Sequence, residues 1–211
     1  MATQRSHLAL GLVVLLLAGT TTPAAATNQT PAGELPYACR AQTPMGDKHF
    51  RFRENVRATA PRQILAGATF PVVVDLEPGE VPSEIRGFRL RELRDLSLRF
   101  RVPANSQLTS ARLTGGAGIG AAPYLEVSGD VVTIKVPGPI AGGSRYQLPK
   151  LTMWLVAGRA GTTIETGPAG TSHDDPGLTL VARIKIAFGT VKAPAACHPD
   201  PAPILTRTQV R

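Results

Sequence analysis

Leu96-Ser97-Leu98-Arg99-Phe100-Arg101-Val102 alternates apolar and polar side chains without a break. Successive side chains of a strand point to opposite faces. The heptapeptide therefore reads as a β-strand with Leu96, Leu98, Phe100 and Val102 inside and Ser97, Arg99 and Arg101 in water. The same period of two recurs outward from it in both directions. Upstream, Phe50 and Phe52 alternate with Arg51 and Arg53, and Phe88 and Leu90 with Arg89 and Arg91, which leaves residues 92–95 as a turn or bulge before the heptapeptide. Val72-Val73-Val74 is a continuous β-branched run, the pattern of a strand covered on both sides. Downstream, Leu125 and Val127 lead into Ser128-Gly129-Asp130, and Val132, Ile134 and Val136 resume the alternation, which predicts a hairpin. Residues 108–113, 146–148, 151–156, 162–165, 178–188 and 205–210 complete the set, the 178–188 segment carrying Arg183 and Lys185 on its wet side. No segment holds a helical period over three turns. Roughly eight to ten short strands separated by glycine and proline turns predict an all-β fold. The expected form is an antiparallel β-sandwich of immunoglobulin-like layout, with a closed barrel as the runner-up.

The N-terminus has a different character. Arg5 precedes an apolar run over residues 8–18, and Ala24-Ala25-Ala26 follows as a small-residue cleavage site, so residues 1–26 read as a secretory signal peptide. The run is shorter than the ~20 residues a membrane helix needs. Thr20 stands where a lipoprotein signal would carry cysteine, and no second apolar stretch of spanning length follows. The expected product is secreted or cell-wall associated after cleavage near Ala26, with no transmembrane segment in the mature chain. Residues 27–36, polar and with two prolines, read as a flexible leader, and residues 37–211 as one domain. Cys39 and Cys197 are the two cysteines; in an oxidising compartment they are expected to pair and close that domain.

The chain carries 23 Lys and Arg against 15 Asp and Glu, a formal charge of +8. Arginines recur at positions 51, 53, 57, 86, 89, 91, 94, 99 and 101. Were their strands neighbours, Arg51, Arg53, Arg89, Arg91, Arg99 and Arg101 would share a cationic face able to hold phosphate or carboxylate groups bidentately. The competing reading makes each a solvated residue partly paired with Glu54, Glu84, Glu92 or Asp95. The partners this charge favours are anionic envelope polymers or lipid head groups; an exported chain without interleaved exposed aromatics is a poor ligand for nucleic acid.

Other candidates lose to plainer readings. The glycine cluster at residues 115–120 is followed by Pro123 and a strand pattern rather than a helix, so it reads as a flexible interstrand loop and not a phosphate cradle. His173-Asp174-Asp175 reads as a solvated turn, and His49 and His198 stand alone in sequence. Gly142-Gly143-Ser144 lacks the closing glycine of a nucleophile elbow. Trp154, between Met153 and Leu155, reads as core. No catalytic residue, metal ligand or cofactor is assigned.

Leu35-Pro36-Tyr37-Ala38-Cys39, Gly142-Gly143 ahead of Tyr146-Gln147-Leu148-Pro149, and Cys197-His198-Pro199-Asp200 give the chain a layout that resembles exported actinobacterial β-rich proteins. The resemblance implies a disulfide-closed envelope or secreted domain and transfers no site residues. The expected function is a non-catalytic module that binds or organises anionic envelope material. The alternative is a secreted hydrolase acting on cell-envelope polymers, which would show a concave pocket where a base meets a nucleophile rather than a basic face.

Overall fold

The computed structural model describes residues 28–29, 32–85 and 87–211; the signal stretch and Arg86 lie outside them. No described residue is helical. Twelve strands carry the architecture: β1 (Ala32–Thr43), β2 (Gly46–Pro61), β3 (Thr69–Leu76), β4 (Phe88–Arg101), β5 (Ser106–Thr114), β6 (Tyr124–Ser128), β7 (Val131–Val136), β8 (Lys150–Ala157), β9 (Thr163–Thr166), β10 (Leu178–Ile186), β11 (Gly189–Pro199) and β12 (Thr206–Val210).

Ten of these follow one antiparallel path, β6-β7-β4-β10-β11-β1-β2-β3-β8-β5. The sheet curls until its end strands, β5 and β6, lie side by side without forming a ladder, which makes a nearly closed barrel and leaves little free edge. β9, β12 and the two-residue strand Gln63–Ile64 form a second sheet, with the last pair parallel. Its Ile164 and Val210, with Leu205 before β12, join the same buried cluster as Phe70, Phe100, Ile134 and Leu155.

Binary patterning accounts for the inward faces. On β4, Leu96, Leu98 and Phe100 are buried; on β8, Leu151, Met153 and Leu155; on β7, Val132, Ile134 and Val136. Ser128 pairs with Val131, so Gly129-Asp130 is a two-residue hairpin loop as the pattern predicts. Residues 92–95 are indeed irregular: β4 runs through them as one strand, its register to β10 shifts twice, and Asp95 takes φ 52°.

Several expectations need correction. β1 begins inside the stretch read as leader, with Leu35 and Tyr37 buried in the core. Pro36 and the lone Leu35 obscure its alternation. β11 is a strand that the sequence reading lacked, because Ala193, Ala195 and Cys197 fill its inward positions and Pro194 and Pro199 resemble breakers. Phe50 is exposed and Phe52 half-buried, since β2 extends beyond the core at that end; its inward face begins at Glu54 and Val56. Trp154 lies half-buried on the outer face between buried Met153 and Leu155. Val73 likewise faces outward, half-covered, between buried Val72 and Val74.

The glycine cluster is a docked loop rather than a loose one. Ala117 bridges Gln147 and Gly120 bridges Gly138. A Cβ on Gly118 would stand 2.5 Å from the Arg145 carbonyl oxygen, and one on Gly120 2.5 Å from the Gly138 carbonyl carbon, both at positive φ. Glycine there serves close backbone approach, with Ile119 buried between the two contacts.

Cys39 and Cys197 are bonded. They sit directly opposite each other on β1 and β11, with Cα atoms 4.0 Å apart, close to the spacing of a non-hydrogen-bonded antiparallel pair and just below the usual disulfide range.

Candidate functional site

Strand order decides the fate of the arginines. β2 and β4 are separated by β10, β11 and β1, so Arg51 and Arg53 do not adjoin Arg89, Arg91, Arg99 and Arg101. Within β4, Arg91 and Arg99 stand eight residues apart, about 26 Å along an extended strand. The six do not form one face. Three are matched singly: Arg51 with Asp200 at 3.4 Å, Arg53 with Glu34 at 3.5 Å, and Arg99 with Asp175 at 2.8 Å. Arg101 is exposed, and Arg89 faces Glu84 across a short ladder.

Arg91 takes part in a different grouping. The irregularity of β4 turns Glu92 and Arg94 toward the outer face, where the register sets Glu92 against Arg183 of β10. A cleft of about 430 Å³ opens there, lined by Arg91, Glu92, Arg94, Arg183 and Thr190. Arg94 Nε donates to Glu92 Oε1 at 2.6 Å, and Arg183 approaches the same oxygen at 3.6 Å. The Arg94 hydrogen bond, with the Arg183 and Arg91 charges behind it, holds the Glu92 carboxyl below its ordinary range. Two guanidiniums thus share one carboxylate, with a third, Arg91, lining the same cleft. Lys192 lies directly across from Arg183, and like charges in opposed positions destabilise a ladder. The Arg183–Lys192 pair adds positive charge beside the cleft. Arg183 is the residue that sequence reasoning placed on a wet face without assigning it a role, because its grouping with Arg91 and Arg94 depends on a bulge.

Away from the cleft, the fold assembles two clusters from distant residues. His49, His173 and His198 stack edge to face, with ring centroids 5.7 and 4.8 Å apart along the row. The 173–175 turn is solvated at Asp174, whose side chain is 89% exposed yet meets Arg40 at 3.0 Å, and docked at Asp175, where Arg99 donates to its carboxylate and to the Pro176 carbonyl oxygen. Desolvation, followed by His198, Arg40 and His49, lowers the His173 pKa. Among the described residues no group of three His, Cys, Asp or Glu side chains is placed to hold a metal ion. Inside the barrel, Glu54 is 7% exposed and accepts a hydrogen bond from Tyr146 at 3.2 Å. Burial raises its pKa to about 7. Burial also raises the Tyr37 and Tyr146 hydroxyls, with the Glu54 charge adding to it.

No protein-family model matches the chain, and neither does any curated protein. Among solved structures, the fold is similar to that of a Corynebacterium diphtheriae protein provisionally described as membrane anchored. The TM-score is 0.58 at 20% identity, over 86% of this chain and 38% of that one. The likeness is one of fold. Among the described residues no helix is long and apolar enough to cross a membrane.

Proposed function

We propose that the chain is an exported, disulfide-closed β-domain of the actinobacterial cell envelope that binds anionic envelope material through the Arg91–Arg94–Arg183 cleft, without catalysing a reaction on it. The carrying observation is that Arg94 and Arg183 share the single carboxylate of Glu92 in a cleft that Arg91 also lines, beside Lys192. Planar guanidiniums bind carboxylate and phosphate in two-pronged fashion, and a cleft in excess of positive charge favours a multivalent polyanion. The lining argues against proton transfer: the one carboxylate is committed to Arg94, and the remaining groups are Thr190 and further arginines. Export draws on the signal-like residues 1–26 and on the disulfide, a bond that persists in oxidising compartments.

Two measurements test the reading. Immobilised polyphosphate and alginate should retain the folded protein at low ionic strength and release it as salt approaches about 0.5 M. The double variant Arg91→Gln and Arg183→Gln should bind about tenfold more weakly with an unchanged melting curve. Retention that survives both changes removes the cleft from the function. Mass spectrometry of the exported protein should find an N-terminus near Thr27 and the mass of the disulfide form; a retained N-terminal stretch overturns the export reading.

A further inference from the structure

Three hairpin tips project from the same end of the barrel as the arginine cleft, and each carries an exposed apolar side chain. Phe188, at the β10–β11 tip, is 99% exposed; Phe88 and Ile85, in the hairpin that opens β4, are 42% and 39% exposed; Met45, between β1 and β2, is 69% exposed. The registers fix their common direction. Ile184 opposes Leu90, which carries Phe88 and Phe188 to the same end, and Ala195 opposes Ala41, which carries the β1–β2 turn there too.

Behind the tips cations outnumber the carboxylates of Asp47, Glu84 and Glu92. Lys185 lies across from Thr190, Arg183 across from Lys192, and Lys48 and Arg89 stand on the adjoining hairpins. Ile186 pairs with Gly189, so Ala187 and Phe188 form a two-residue hairpin tip, and the Lys185–Thr190 rung lies directly behind that last pair, about 3 Å further along the strands. Phe188 thus stands at the tip with the cations set just behind it, the order in which an interfacial element presents apolar and basic side chains to a bilayer.

We propose that this end of the barrel is a docking surface for an anionic lipid bilayer. Phe188, with Phe88 beside it, enters the head-group region, and Lys185, Arg183, Lys192 and Arg91 hold lipid phosphates at its surface. The inference rests on the anion-binding reading of the cleft and identifies the anion as a lipid phosphate. Charge complementarity selects the occupant: each basic residue near an anionic leaflet adds attraction, and the separate aromatic tips match a deformable surface better than a flat apolar protein face.

The experiment is co-sedimentation of the full exported chain with vesicles of phosphatidylglycerol mixed with phosphatidylcholine, against vesicles of phosphatidylcholine alone. The expected result is binding to the anionic vesicles alone. Phe188→Ser should weaken it about tenfold, since a phenyl group loses its burial, while leaving polyphosphate binding and the melting curve unchanged. In Phe188→Trp, emission above the constant Trp154 background should shift blue on vesicle addition. Vesicle binding untouched by Phe188→Ser but abolished by the Arg91 and Arg183 changes overturns insertion and leaves the cleft reading standing. Equal binding to neutral vesicles overturns the role of lipid phosphate. Failure to bind vesicles or polyphosphate removes both readings. A dimer in sedimentation that Phe188→Ser dissociates overturns the bilayer in favour of a second copy.

Discussion

The two ends of the barrel treat the same residue types in opposite ways. At the end bearing the 171–176 loop, Arg40, Arg51 and Arg99 each have a carboxylate of their own, and the disulfide and the histidine row lie close by. At the hairpin-tip end, Arg94 and Arg183 share Glu92 while Arg91 lines the same cleft, and aromatic side chains stand in water. Arginine count alone does not mark a binding surface. What separates the ends is that Arg40, Arg51 and Arg99 each hold a separate carboxylate, whereas Arg94 and Arg183 share one.

The sharpest test of the loop end's structural role is its disulfide. The bond closes a loop with a sequence separation of 158, for which chain entropy gives a ceiling of about 5 kcal/mol. Cys39→Ala with Cys197→Ala should lower the urea midpoint by an amount equivalent to about 2–5 kcal/mol. An unchanged midpoint would show that pairing of β1 with β11 alone holds that end together.

Glu54 comes next. Its folded pKa of about 7 lies above the ordinary 4.5, so its contribution to stability is full below that ordinary value and is lost as pH rises through 7. Glu54→Gln should therefore be more stable than the parent at pH 8, by at most about 3 kcal/mol, with the gain fading toward pH 5. Denaturant titrations at the two pH values check this; parallel pH dependence in parent and variant would show that Glu54 does not titrate as a buried group.

A matched pair of substitutions divides the ends directly. Arg99→Gln should cost about 1 kcal/mol of stability, because its partners are partly exposed, and should leave polyanion binding intact. The Arg91 and Arg183 changes should do the reverse. Loss of polyanion binding on Arg99→Gln would erase the distinction.

The smallest effect concerns His173. Its lowered pKa means that the neutral ring fits the fold, so stability is present above the ordinary value of 6.5 and declines as pH falls through it. Amides of residues 171–176 should lose protection between about pH 7.5 and 5.5, while those of the hairpin tips do not change. Uniform loss across the chain would point elsewhere.

Much of this was legible in the sequence and some was not, for physical reasons. Leu96, Leu98 and Phe100 declare their face because large apolar side chains alternate with charge. β11 hides because Ala193, Ala195 and Cys197 are small where the barrel wall needs little volume. The hairpin at Gly129-Asp130 is local, and local chemistry specifies it. The cleft was half visible: Arg91 was a candidate, but its companions Arg94 and Arg183 meet it through a bulge and a long-range ladder. The histidine row was invisible, since it joins β2, β11 and a loop more than a hundred residues from His49 in sequence.

The disulfide occupies a particular place in the strand order. Five strands lie on either side of the β11–β1 joint, and the unladdered seam between β5 and β6 is diametrically opposite. Mechanically the wall is a book whose spine is covalent and whose covers meet without a clasp. Breathing must then begin at the covers: β5 and β6 part while the spine acts as a hinge, and the inward-facing apolar side chains reach water from that side. Amide exchange in such a wall spreads from the seam around both arcs and reaches Cys39 and Cys197 last.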